Sequence, residues 1–527
     1  MTEEEAPDQA RRAGRGGLAV LFAKVFFIGT GLVQQALLPR AIGLADYGAL
    51  SRVLAVSNVF NNVVISSSTQ GVSRTVAGAG QNEREALRAT LGVHGVLALG
   101  AAALLAIAAP LVAFFQHAPD VLAPLLVMTG VLGIYGVYAP LVGYLNGRGL
   151  FTRQATLDIV AATLRTGGLL GVGYVFARHA GALAASLGTS PGVLGATVGA
   201  VLASIGVFSL ALRWTGTGRK LSGERPAGVP VAKAYIALIV PVMVAQLFTN
   251  GLMQADIFLL GRYLSLSAAT SGVADPTKTA NEWVAVYRAC QLFAFLPYQL
   301  LFSVTQILFP MLARARAEEG DARVADLVRR GCRIGAIVCG LLLTIVLAMP
   351  GSLIKFAYGA EVAARGAASL RVLALGQACF AVLGLSTTIL VSLGRERTAM
   401  AITAVALALL AASCSVVIPS AEFGEAQLRA TAAATTGALA LALVVGVVTV
   451  RSAAGAFVPW KTAVRVGGCA AGAFALGGVM PVFSKLLTPV VAAGVMIAYL
   501  VALVVTGELG KEDLSLVLSI AVRRAKR

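Results

Sequence analysis

Long apolar stretches succeed one another along nearly the whole chain, broken by short polar segments. A helix needs roughly 20 residues to cross the hydrocarbon core of a bilayer. Stretches of about that length fall near 17–38, 48–71, 89–115, 121–145, 156–177, 192–213, 233–260, 282–310, 333–356, 369–392, 399–419, 431–450, 463–483 and 487–506. The pattern predicts an all-α polytopic membrane protein with 14 transmembrane helices and no soluble domain.

Polar residues interrupt these stretches in an ordered way. Residues 57–71 read SNVFNNVVISSSTQG, in the middle of the second span. At about 100° per residue, Ser51, Asn58, Asn62 and Thr69 fall within about 20° of one line on that helix. On the eighth span Asn281, Arg288, Gln299 and Gln306 form a similar stripe. Lys24, Gly31 and Gln35 share a face of the first span, and Gln246, Thr249, Asn250 and Met253 cluster on the seventh. An ionised side chain at mid-membrane costs at least about 2.5–3.5 kcal/mol. These faces are therefore expected to turn away from lipid, onto water or substrate, or to bond one helix to another.

Arg52 and Arg165 are either further cavity cations or side chains that snorkel towards an interface. The acids available within or beside the spans are Asp46, Asp158, Asp256 and Glu282. Asp256 and Glu282 lie near helix ends, where ion pairs with Arg262 or Arg288 are expected. Gly192, Gly195, Gly199 and Ala203 on the sixth span, and Gly468 and Gly472 on the thirteenth, predict close helix contacts. Pro241, Pro297 and Pro310 predict bends in the seventh and eighth spans.

Charge tests the span count. With the N-terminus placed in the cytoplasm, 29 of the 42 lysines and arginines fall in cytoplasmic segments, 8 in segments on the other side, and five within spans. That asymmetry follows the positive-inside rule and places both termini in the cytoplasm.

The chain also shows an internal echo. QGVSRTVAGAGQNEREALRATLGVHGVLALGAAALLAIAAPLVAFF, around the second and third spans, matches QILFPMLARARAEEGDARVADLVRRGCRIGAIVCGLLLTIVLAMPGSLIKF in character. Each has a glutamine near the end of a polar span, a mixed-charge loop, and an apolar helix ending at Pro110 or Pro350. Gly147-Arg148 and Gly394-Arg395 occupy equivalent places after the fourth and tenth spans. A separation of six spans gives two halves of the same orientation, related by an axis along the membrane normal. The expected organisation is a disordered tail at 1–16 and a six-helix lobe at 17–213. A linker at 214–232 leads to a second six-helix lobe at 233–450, two extra helices at 451–506 and a basic tail at 507–527. The two pseudo-symmetric lobes would enclose a central cavity.

Composition sharpens this picture. The 527 residues are 58% hydrophobic and only 13% charged, where a soluble chain carries about a quarter charged residues. A net charge of +18 would suggest nucleic acid in a soluble protein, but here it suits anionic lipid headgroups, so no nucleic-acid partner is expected. Cys290, Cys332, Cys339, Cys379, Cys414 and Cys469 form no CxxC pair and read as packing residues. His94, His117 and His179 are scattered, so no metal site and no cofactor is expected. The N-terminal segment reads as a tail before a first span, not a cleaved signal peptide. A G-x-x-x-x-G-K-[ST] motif is absent, so the chain has no P-loop for ATP.

The passage LLPRAIGLADYGALSRVLAVSNVF followed by STQGVSRTVAGAG resembles the opening of oligosaccharide flippases of the MOP superfamily. That group holds Wzx-type flippases, the lipid II flippase and MATE multidrug exporters. Arg40, Gly43, Tyr47-Gly48, Gly71 and Arg74 match its R-x-L-G-x-x-x-Y-G … G-x-x-R pattern, with Ile42 in place of the leucine. FPMLARARAEEGD, with Pro310 and Gly320-Asp321, resembles the matching segment of the second half. The motifs are short, and the resemblance covers most of the chain in topology.

The resemblance implies two lobes in a V that alternate between inward- and outward-open states. It also implies a polyprenyl-pyrophosphate-linked oligosaccharide as cargo, moved from the inner to the outer leaflet of a bacterial cytoplasmic membrane. H+, Na+ or the membrane potential would drive the movement, and polysaccharide polymerase machinery is an implied partner. Lys24, Asp46 and Arg288 fall near charged positions of the lipid II flippases, whereas Thr30 and Gln34 stand where those have arginines. Another polyprenyl-linked glycan is therefore expected in place of lipid II. The expected substrate-binding residues are Lys24, Gln35, Arg52, Asn58, Asn62, Gln246, Asn250, Arg288, Gln299 and Gln306. Asp46, Asp158, Asp256 and Glu282 are the candidates for ion coupling. The alternatives are a MATE-like ion-coupled multidrug exporter and a membrane polysaccharide polymerase; a non-enzyme is expected.

Overall fold

The computed structural model describes residues 5–216 and 232–510, and every regular element among them is a helix. The side chains of residues 5–21, Gln81, Ser303, Gln306 and Ile307 lie outside the described set, as do the expected linker from 217 to 231 and the tail from 511. Thirteen described helices are long and apolar enough to cross a membrane. They match thirteen of the expected spans one to one.

The chain divides into two compact units, Met1–Arg288 and Ala289–Arg527. The first holds α1 (Glu5–Ile42), α2 (Leu44–Gly78), α3 (Glu83–Phe115), α4 (Leu122–Gly147), α5 (Phe151–His179), the short α6 (Gly181–Ser186), α7 (Pro191–Thr215) and α8 (Ala232–Thr270). It also holds most of α9 (Pro276–Ala294). Its boundary falls later than the linker expected between lobes, because α8 packs along α2. Helix α1 is continuous from Glu5, through most of the segment expected as a disordered tail.

The second unit holds α10 (Leu296–Glu318), α11 (Asp321–Ala348), α12 (Pro350–Tyr358), α13 (Ala360–Ser392), α14 (Glu396–Val417), α15 (Glu425–Ala454), α16 (Trp460–Val479) and α17 (Leu487–Val505). The expected eighth span, 282–310, is not one helix. It is interrupted at Phe295, and neither α9 nor α10 belongs to the thirteen long apolar helices. Pro297 has no N–H for the carbonyl four residues earlier, which weakens the helix at that turn. The other prolines behave differently. Pro110, Pro241 and Pro310 lie inside continuous helices, and Pro350 begins α12 after a break at Met349.

Helices in lipid gain little from burying apolar surface against each other, so close van der Waals packing and polar contacts hold them together. Helices α5 and α7 meet at Gly168 and Gly199. A Cβ built on Gly199 would collide with the Gly168 carbonyl oxygen, and one on Gly168 with that of Gly199. The expected close face of the sixth span is therefore real. Its counterpart on the thirteenth is not: a Cβ on Gly468 or Gly472 meets nothing within 4 Å. On α16 it is Gly477 that touches a neighbour, since a Cβ there would collide with the Leu347 oxygen of α11.

Candidate functional site

In the first unit the sequence-predicted amides form one chain. Asn62 Nδ2 on α2 donates to Asn250 Oδ1 on α8 at 2.7 Å. Asn250 Nδ2 in turn donates to the Gln246 carbonyl at 2.8 Å and to Gln246 Oε1 at 3.2 Å. Asn250 is buried, whereas Asn62 is exposed, so the chain runs from an accessible surface into the α2–α8 contact. Asn58 sits one turn before Asn62 and is half-buried. Of the two amides on the second-span stripe, Asn62 is bonded across to α8, while the bonds of Asn250 to Gln246 lie within α8.

Lys24 is exposed, and its charge and that of Asp158 on α5, the helix that packs against α1, act on one another. An acid opposite a lysine inside a span lowers the cost of both charges. Gln35 Oε1 accepts from the Tyr47 hydroxyl at 2.7 Å, and Gln34 Oε1 accepts from Thr166 at 3.3 Å. The first span therefore exposes its lysine while its two glutamines bond to α2 and α5.

Several expected site residues have other duties. Arg52 is only 1% exposed, and its Nη1 donates to Ser265 Oγ at 2.8 Å. In this conformation it is neither a cavity cation reached from solvent nor a snorkelling one, because α8 covers it. Asp46 Oδ2 accepts the Gly192 N–H at 3.2 Å, in the first turn of α7. Carboxylates suit helix N-termini, where backbone N–H groups lack helical partners. The missing side chain of Gly192 makes the approach feasible, since a Cβ there would collide with Asp46 Oδ2.

Arg262 is held by contacts other than the ion pair expected with Asp256 or Glu282. Arg262 Nη1 donates to the Phe115 carbonyl at 2.6 Å, and its guanidinium lies 4.0 Å from the centre of the Phe115 ring. It thus serves an unpaired carbonyl at the end of α3. Asp256 is buried and accepts from the Tyr287 hydroxyl of α9 at 2.8 Å. Glu282 and Arg288 are half-buried on α9. In the second unit Gln299 is half-buried on α10, and the side chain of Gln306 lies outside the described residues. The interruption at Phe295 separates these glutamines from Asn281 and Arg288, so the expected stripe is carried by two helices.

Two polar constellations were not anticipated. His94 is 1% exposed, with Nδ1 2.9 Å from Ser68 Oγ and Nε2 2.6 Å from the Tyr235 hydroxyl. It joins α2, α3 and α8 beside a buried cluster that includes Val72, Leu141, Leu145 and Ile239. The signal the sequence carries for it is a lone histidine in an apolar span. In the second unit Glu508, beyond α17, is 4% exposed. Its carboxylate takes Arg333 Nε at 2.8 Å, Arg465 Nη1 at 2.8 Å and Thr462 Oγ1 at 2.6 Å. Burial pushes its pKa up, but the Thr462, Arg333 and Arg465 hydrogen bonds and the Arg333 charge outweigh this and hold it below the ordinary glutamate value.

Among the described residues no group of three or more His, Cys, Asp and Glu side chains is placed to hold a metal ion, and none of the six cysteines is in a disulfide. No protein-family model and no curated protein matches the sequence. The fold is similar to solved structures. A structure of the lipid II flippase MurJ in an inward closed conformation superposes with a TM-score of 0.69 at 11% identity, over 92% of this chain and 97% of that one. A mutant form of the Vibrio cholerae MATE transporter VcmN gives 0.58 at 16% identity, over 86% and 98%. A MOP superfamily transporter from Pyrococcus furiosus gives 0.56 at 14% identity, over 82% and 95%. The chain is an all-α, multi-pass membrane protein with the fold of MOP superfamily transporters and flippases.

Proposed function

We propose that this chain is a flippase that moves the headgroup of a polyprenyl-pyrophosphate-linked oligosaccharide from the inner to the outer leaflet of a bacterial cytoplasmic membrane. It would work by alternating access, with both termini in the cytoplasm and without catalysing a covalent reaction. The observation that carries this reading is Lys24, an exposed residue within a span on which the charge of Asp158 acts, in a fold similar to a lipid II flippase.

A diphosphate crossing a low-dielectric region needs cations and hydrogen-bond donors in place of its hydration shell. Lys24 offers the charge, with Arg288 as the second candidate, and Asn58, Asn62 and Gln35 offer polar contacts to phosphate or sugar. Competition for Lys24 gives a route to energy coupling. A phosphate that draws the ammonium away leaves the Asp158 carboxylate to take a proton or a sodium ion. Return of that ion to the cytoplasm would then accompany release of the cargo. Asp46 and Asp256, each held by groups of the protein, suit structural roles better than ion coupling.

The fold similarity to MATE transporters supports a second reading, an ion-coupled exporter of small organic cations. The two separate on one experiment. The gene is depleted in its native host, and membrane polyprenyl-linked glycans are measured by mass spectrometry in strains carrying wild type or Lys24→Ala. Accumulation of one lipid-linked glycan, relieved by wild type but not by the variant, is expected. An unchanged glycan pool with altered sensitivity to cationic drugs overturns the flippase in favour of the exporter.

A further inference from the structure

Four polar side chains of the first unit converge at the end where α2 begins and α8 finishes. They are Arg52 on α2, Gln116 just after α3, Asp120 in the 3-10 turn Pro119–Val121 and Asn281 near the start of α9. Arg52, Gln116 and Asn281 are 1%, 0% and 4% exposed. Asn281 Nδ2 donates to Asp120 Oδ2 at 2.9 Å, and Arg52 Nη1 donates to Ser265. The other polar atoms of these four side chains are buried without a protein partner. They are Arg52 Nε and Nη2, Gln116 Nε2 and Oε1, Asp120 Oδ1 and Asn281 Oδ1.

Three of these six atoms are donors and three are acceptors. Nε and Nη2 of Arg52 form the side-on fork of the guanidinium, which presents two parallel N–H groups in one direction. Gly261 locates where two of the groups meet: a Cβ built on it would lie 3.3 Å from Gln116 Oε1 and 3.5 Å from Arg52 Nε. Asp120 is the carboxylate whose field reaches Arg52. Buried polar groups of native proteins overwhelmingly find a partner, either protein or ordered water, and a buried water bonds to about three of them.

A balanced set of donors and acceptors selects the ligand. An anion would meet Asp120 and two amide oxygens. A metal cation would meet the guanidinium. Water serves both kinds of atom at once. We propose that Arg52, Gln116, Asp120 and Asn281 enclose a sealed chamber of ordered water, which bridges the Arg52 fork to the Asp120 carboxylate and the two amides. The chamber joins α2, α8, α9 and the turn after α3 through solvent instead of direct contact, and it commits the Arg52 charge to structure.

The test uses the full chain, purified in detergent. A map at a resolution that shows solvent is expected to place water on Arg52 Nη2 and on Asp120 Oδ1 or Gln116. A direct Arg52–Asp120 bidentate pair with no solvent between them overturns the proposal, as does an anomalous bromide peak after halide exchange. Thermal unfolding gives an independent reading. Gln116→Leu is expected to lower the midpoint by about 2 °C or more, by stranding the water. The double variant Arg52→Met/Gln116→Leu, which dries the chamber, is expected to lose less than the sum of the two single changes. A Gln116→Leu protein as stable as wild type, or more so, overturns the chamber.

Discussion

Asn62 of α2 and Asn250 of α8 share a 2.7 Å hydrogen bond across 188 residues of sequence. The bond ties a helix on each side of the expected inter-lobe linker into one compact unit. Side-chain hydrogen bonds between membrane helices average about 0.6 kcal/mol and reach about 1.7 kcal/mol in double-mutant cycles. Asn62→Leu and Asn250→Leu, singly and together, are expected to give a coupling of about 1 kcal/mol. Unfolding of the four proteins in the same micelle checks this, and strictly additive losses would remove the bond from the account.

Asp46 distinguishes a cap from an ion site. As the acceptor for the Gly192 N–H, it needs an oxygen but not a proton-binding carboxylate. Asp46→Asn is expected to keep transport and most of the stability, whereas Asp46→Ala loses about 1 kcal/mol, as other helix caps do. Paired measurements of melting and of transport decide it. Loss of ion coupling in the well-folded Asn variant would return Asp46 to the coupling machinery.

The fold was legible in the sequence because the bilayer sets one length scale, and thirteen apolar runs satisfy it. The Asn62, Gln246 and Asn250 positions were legible for a similar reason, since a polar stripe in an apolar helix must face something other than lipid. Partner choice was not legible. Arg262 bonds a carbonyl 147 residues away, at the end of another helix, and no charge pattern identifies a backbone acceptor. The same holds for His94, whose partners Ser68 and Tyr235 come from two other helices. Spacing alone also cannot separate Gly168, which meets a neighbouring backbone, from Gly468, which meets nothing.

Lys24 and Asp158 offer a test by charge removal. If their attraction serves cargo binding and ion coupling, Lys24→Arg retains part of the activity and Lys24→Ala loses at least about tenfold, the equivalent of about 1.4 kcal/mol. Asp158→Asn is expected to leave cargo binding intact while transport loses its response to an imposed ion gradient. Reconstituted vesicles with a fluorescent polyprenyl diphosphate measure both quantities. Gradient-dependent transport by Asp158→Asn would exclude this carboxylate from coupling.

Glu508 predicts a pH dependence of stability. Gly507, at φ +73°, turns the chain after α17 so that Glu508 N–H bonds the Leu503 carbonyl at 2.8 Å. The carboxylate then meets Arg333 of α11 and Arg465 of α16, fastening the last two helices to α11. Breaking a fully buried ion pair costs about 3–5 kcal/mol. The arginine side chains here are 32% and 27% exposed, so Glu508→Gln is expected to cost less, about 2 kcal/mol. Because the folded pKa lies below the unfolded one, this contribution is complete above the ordinary value of 4.5 and declines as pH falls through the lower folded value. The difference in melting temperature between wild type and Glu508→Gln should therefore be constant from pH 8 to about 5.5 and shrink below about 4.5. A difference that grows on acidification would mean that the folded state binds the proton more tightly than the unfolded chain, and would overturn the latch.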